Sequence, residues 1–158
     1  MDLSIRQAVP NDYESLLPLF RQVHELHVFV RPDVYKENST PVEPEFFQSQ
    51  LKDDNQHIFV AVLGDDLAGV IVTKEEEVAG NSFVQARKVL VINSLSIAEA
   101  HRRKGIGKEL MNYIFDFGRS LAVDSIELGV SEKNTSAIEF YRSIGMATKS
   151  RKLELKMS

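Results

Sequence analysis

Between residues 88 and 121 the chain passes from a β-branched run, KVLVINSLSIA, through a basic turn into a helical repeat of Ile106, Leu110, Ile114, Phe117 and Leu121. The run reads as a strand and the repeat as one apolar helix face. The junction between them is chemically marked. A helix start exposes unpaired backbone N–H groups and carries about half a positive charge. Gly105 and Gly107 remove side chains that would keep an anion from those groups, and Arg102, Arg103, Lys104 and Lys108 surround the same point. This describes a phosphate or pyrophosphate site. A flexible helix start in a basic patch is the plainer alternative.

Two familiar phosphate loops fit poorly. A P-loop needs Gly-x4-Gly-Lys-Ser/Thr, but Gly107-Lys108 is followed by Glu109, and Arg102 stands where the first glycine belongs. The dinucleotide fingerprint Gly-x-Gly-x-x-Gly starts at Gly105 and ends on Leu110.

Around this junction the elements alternate. LSIRQA has the period of a half-buried strand, stopped by Pro10-Asn11-Asp12. A helix follows through YESLLPLFRQVHELHVF, where Pro18 predicts a kink or a shifted start. RPDVYKENSTPVEP reads as a loop and EFFQSQLKD as a short helix. HIFVAVL and LAGVIVTKEE, joined by GDD, form a hairpin, with Glu75, Glu76 and Glu77 expected in an exposed turn. SIELGV is a further strand, NTSAIEFYRSIGM a helix that Gly145 can close, and ATKSRKLELKM a final alternating strand. No linker or repeat divides residues 1–158, so one α/β domain is expected.

At 158 residues, 43% of them hydrophobic, the chain can bury a real core. It has no bilayer-length apolar run and no signal-peptide pattern. Without cysteine it offers no disulfide or thiolate nucleophile, and no metal site is expected; the cytoplasm is the expected compartment. The net charge of −4 divides into −8 over residues 1–99 and +4 over 100–158. That asymmetry suits one anionic and one cationic ligand group. Nucleic acid is disfavoured, because no aromatics interleave the cations and the chain is acidic overall.

RRKGIG also matches the Q/R-x-x-G-x-G/A signature of the GNAT superfamily of N-acetyltransferases. Downstream, NTSAIEFYRSIGM resembles that family's second signature, with Asn134, Ala137, Phe140, Tyr141 and Gly145 in register and Met146 in place of the usual Phe. The resemblance implies a GNAT fold: a mixed central sheet of about six or seven strands, splayed at an acyl-CoA slot and flanked by about four helices. It implies acetyl-CoA as acyl donor and a primary amine, on a small molecule or a peptide, as acceptor. A catalytically reduced CoA-binding sensor is the alternative.

Carried over residue by residue, the resemblance gives the pyrophosphate to Arg102, Arg103, Lys104, Gly105, Ile106, Gly107 and Lys108. It gives the pantetheine arm to the main chain of Leu95 and Ile97, a cofactor contact to Asn134, and the general acid to Tyr141. By the physics of N-caps, Asn134 also suits the start of its helix. An ammonium acceptor with a pKa of about 10.4 must lose a proton before attack. Where many relatives carry a carboxylate for this, the sequence has Asn93 and Ser94, so Asn93 is expected to position a water or the amine. His24, His27 and Tyr35 are the expected acceptor-site residues, with the two histidines on one helix face. The C-terminal RKLELKM can pair across a homodimer, as in many relatives.

Overall fold

The computed structural model describes residues 2–157. Five strands form one sheet in the order β1-β2-β3-β4-β5: β1 Leu3–Gln7, β2 Gln56–Leu63, β3 Asp66–Val78, β4 Arg87–Ile97 and β5 Ser125–Leu128. The first four pair antiparallel, and β5 lies parallel to β4. Four α-helices cover the sheet: α1 Tyr13–Val30, α2 Pro44–Lys52, α3 Ile106–Ser120 and α4 Thr135–Ser143.

Both faces of the central strands are buried, which is why they read as unbroken apolar runs. On one face, Leu16, Leu19 and Phe20 of α1 and Phe47 of α2 pack on Ile58, Val60, Val70 and Val72. On the other, Ile106, Leu110, Met111 and Ile114 of α3 pack on Phe59, Ala61, Ala68, Ile71, Leu90 and Ile92. Pro18 lies inside an unbroken α1. Gly64 turns the β2–β3 hairpin with a positive φ of 62°. At the end of α4 the Met146 N–H reaches the Tyr141 carbonyl, the Gly145 N–H reaches that of Arg142, and Gly145 takes φ 102°. This is a Schellman closure, and it needs the left-handed residue that glycine supplies.

Three expectations are corrected. The sheet has five strands rather than six or seven. Residues 147–157 join no ladder: their alternation specifies two faces, but their backbone does not pair with a described strand. Their tail is held by charge instead, through Lys149–Glu127, Arg151–Glu132, Arg31–Glu154 and Asp33–Lys156 pairs. Glu75, Glu76 and Glu77 belong to β3 rather than to a turn. The Glu75 carboxylate is nearly enclosed, 2.5 Å from His57 Nε2 and 3.0 Å from Lys88 Nζ. A glutamate paired with a lysine and hydrogen-bonded to a histidine can be covered where an unpaired one cannot.

Candidate active site

The site begins with an irregularity in β4. Ile92 lies opposite Thr73 and Ser94 opposite Val72, so Asn93 is an extra residue without a partner on β3. Such a bulge bends its strand and re-aims the residues beyond it. The parallel pairing with β5 ends at the same place, at Ile92 and Leu128, while β4 continues to Ile97. Five residues of β4 therefore have a free edge.

One hydrogen bond identifies the backbone groups that face this edge. The Ala98 N–H donates to the Ala68 carbonyl at 2.8 Å, so Ala98 is bonded towards β3. Antiparallel alternation then turns Ser96 and Ser94 towards β3 and leaves the N–H and C=O of Leu95 and Ile97 pointing to the open side. Their side chains pack with the α3-face core.

Past the strand, a short 3-10 turn, Glu99–His101, leads to the basic loop. Arg103 and Gly105 adopt left-handed backbone, at φ 64° and 77°, and Gly105 is the N-cap of α3. Left-handed residues in such a loop point successive N–H groups into one concavity, which suits an anion. Above Gly105 there is open space for 4 Å where a side chain would begin. Arg102, Arg103, Lys104 and Lys108 are exposed around it. Lys104 Nζ also sits 3.0 Å from His101 Nδ1, and His101 Nε2 lies 3.2 Å from Asp66. Ile106 is different: its side chain is buried in the α3 core, so only its backbone is available to a ligand.

α4 closes the other side. A Cβ on Gly107 would stand 3.4 Å from the Phe140 ring and 3.8 Å from Ile97, so strand end, helix start and α4 meet there. Asn134 caps α4, its Oδ1 accepting from the Ala137 N–H at 3.3 Å, while its amide nitrogen has no hydrogen-bond partner among the described residues. Tyr141 packs on the α3-face core beside Phe140. Burial raises the Tyr141 pKa, so its hydroxyl stays protonated at neutral pH. That hydroxyl likewise has no hydrogen-bond partner among the described residues, and it is not sealed from solvent. Asn93 is exposed beside the gap.

The expected acceptor residues gather separately. The Tyr35 ring stacks on His27 at 5.0 Å and meets His24 edge-on at 6.3 Å. His24 Nε2 lies 2.7 Å from the Lys36 carbonyl, tying the loop after α1 to the helix. Burial, and then the neighbouring His24, hold the His27 pKa below the usual imidazole range. Among the described residues, no hydrogen bond links this cluster to β4. The residue that does reach β4 from α1 is Gln22, which sequence reasoning passed over. Its amide nitrogen donates to Ser96 Oγ at 3.1 Å and to the Ile97 carbonyl at 2.9 Å, and its amide oxygen accepts from the Glu99 N–H at 3.2 Å. The available signal was a lone amide within the apolar pattern LLPLFRQV.

A mixed sheet parted beside one strand, with a left-handed basic loop opening the next helix, is the layout of an acyltransferase fold. The model of the acetyltransferase (GNAT) family matches residues 20–146. Streptothricin acetyltransferase of Streptomyces lavendulae is 30% identical over 159 residues, covering 90% of this chain and 80% of that protein. A mutant of the BH1408 protein from Bacillus halodurans superposes with a TM-score of 0.95 at 31% identity, over 98% and 99% of the two chains. The fold is also that of aminoglycoside N-acetyltransferase AAC(6')-Iy in complex with CoA, with a TM-score of 0.75 at 15% identity over 98% and 93%. The chain belongs to the GNAT acetyltransferase family. No described helix is long and apolar enough to cross a membrane.

Proposed function

We propose that this chain is an acyl-CoA-dependent N-acetyltransferase moving an acetyl group from acetyl-CoA to a primary amine on a small molecule. The observation that carries the reading is the free edge of β4 running directly into the left-handed loop of Arg103 and Gly105. An extended arm ending in a pyrophosphate fits that sequence of features: amide groups along an edge, then an anion concavity. Leu95 offers both main-chain groups, and Ile97 chiefly its N–H, because its carbonyl already accepts from Gln22. Arg102, Arg103, Lys104 and Lys108 add charge, the backbone from Gly105 to Gly107 supplies donors, and the free amide of Asn134 adds a contact.

When bound, the donor supplies a thioester carbonyl that forms a bond to the amine nitrogen as the bond to sulfur breaks. Asn93 orients the incoming amine or a water that takes its proton to solvent. Tyr141, kept protonated by burial, gives its proton to the departing sulfur and recovers one from solvent. The small-molecule acceptor is supported by relatives named for streptothricin and aminoglycoside acetylation. His24, His27 and Tyr35 form the wall on the acceptor side.

Thiol release from acetyl-CoA with a panel of amines, antibiotic amines and polyamines included, tests the reading. Turnover with at least one small amine is expected. CoA binding without turnover across the panel favours instead a reduced CoA-binding module, which Asn93 in place of a carboxylate permits. No binding at millimolar acetyl-CoA sinks both.

A further inference from the structure

We infer that Gln22 is a positioning residue for the donor: it locks the edge of β4 and the basic loop into one binding surface. The inference rests on the acyl-CoA reading above. Two parts of the proposed slot come from different local structures. The strand end is held by its ladder to β3 and by the Ala98–Ala68 hydrogen bond. The turn after it has short-range backbone bonds, His101 to Ala98 and Arg102 to Glu99, and one contact to the start of β3, His101 with Asp66. Gln22 bonds directly to both the end of β4 and the turn. One amide hydrogen holds Ser96 Oγ, the other holds the Ile97 carbonyl, and the amide oxygen takes the Glu99 N–H. Its polar atoms are thus spent across the strand–turn boundary, from a helix packed on the opposite side of the sheet from α3.

The role is specific because it concerns a linkage. A ligand that engages strand and loop together gains from having the second half presented at a fixed distance from the first. A ligand that uses the loop alone gains nothing from it. Loss of Gln22 should therefore weaken CoA and spare its nucleotide end. The same residue blocks the Ile97 carbonyl from pairing with the arm.

The test compares two probes, CoA and adenosine 3′,5′-bisphosphate, titrated calorimetrically into wild type and into Gln22→Leu, with thermal melts run alongside. The expected result is CoA binding about tenfold weaker, with the nucleotide affinity unchanged within about threefold. Gln22→Glu, which keeps the size and the acceptor for the Glu99 N–H, should recover part of the CoA loss, and it carries the test alone where the leucine variant does not fold. Unchanged CoA affinity overturns the inference. Equal weakening of both probes also overturns it, since that is general loosening. Failure of the wild type to bind CoA is a different result, and removes the acyl-CoA reading beneath it.

Discussion

Tyr141 shows how a site can be assembled from a packing residue. Its ring belongs to the α3-face core, and the same burial that fixes the ring keeps the hydroxyl protonated. Tyr141→Phe keeps the packing and removes only the hydroxyl, so kcat should fall about 10–100-fold, the gain from protonating a thiolate of pKa about 8.5 at neutral pH, with little change in melting temperature. Steady-state rates across pH check this, and an unchanged rate at every pH removes Tyr141 from the chemistry. Gly105 carries a backbone demand instead. At φ 77° with open space around it, alanine meets no neighbour but must adopt a left-handed conformation, at a cost of about 1 kcal/mol. Gly105→Ala should lower the melting temperature by a few degrees, measurable by scanning calorimetry.

At the scale of elements, Glu127 on β5 ties three parts of the chain together. Its carboxylate meets Arg87 of β4 at 2.8 Å, Lys149 of the tail at 3.0 Å and Ser125 at 2.9 Å. The hydrogen bond from Arg87, then that from Lys149, pulls its pKa from 4.5 down to about 2. A carboxylate more acidic in the folded state contributes fully above its unfolded pKa and loses that contribution as pH falls through the folded value. Stability should therefore drop between about pH 4.5 and pH 2, and Glu127→Gln should flatten that part of the profile. Denaturant melts at successive pH values read it directly. The elements themselves were largely legible, because helical and strand periods record which face is covered. Two expectations differ from the structure because each depends on partners outside the local pattern. Glu76 and Glu77 are exposed as their charge suggests, whereas His57 and Lys88, distant in sequence, let Glu75 turn inward. The alternation of RKLELKM describes a strand, but a strand also needs its backbone paired with a neighbour, and no pattern within seven residues can promise that pairing.

For the whole molecule, the same distinction separates the donor side from the acceptor side. The loop and its helix are local in sequence, so their glycines, cations and periodicity sit within a few turns of each other. Gln22 and the β4 bulge are visible only once α1 lies across the sheet, since their partners are 74 or more residues away or on a neighbouring strand. The tail is lightly integrated: Leu153 is 90% exposed and Leu155 84%, and surface ion pairs are among its ties. Such pairs contribute little each. A chain ending at Ser150 should retain its fold, with a melting temperature within about 3 °C of the full chain, as circular dichroism would show.

The bulge at Asn93 acts as a counter. Below it, odd-numbered residues of β4 bond towards β3 and even-numbered ones face β5; above it the assignment is exchanged, and that exchange is what hands Leu95 and Ile97 to the open edge. A strand of the same sequence paired without the bulge, Asn93 opposite Val72, would keep every chemical group of the slot and present Ser94 and Ser96 there instead. Slipping the bulge out of β4 is thus a spatial frameshift, felt by the donor slot and by the faces that Leu95 and Ile97 present, while the pairing beneath it stays in phase.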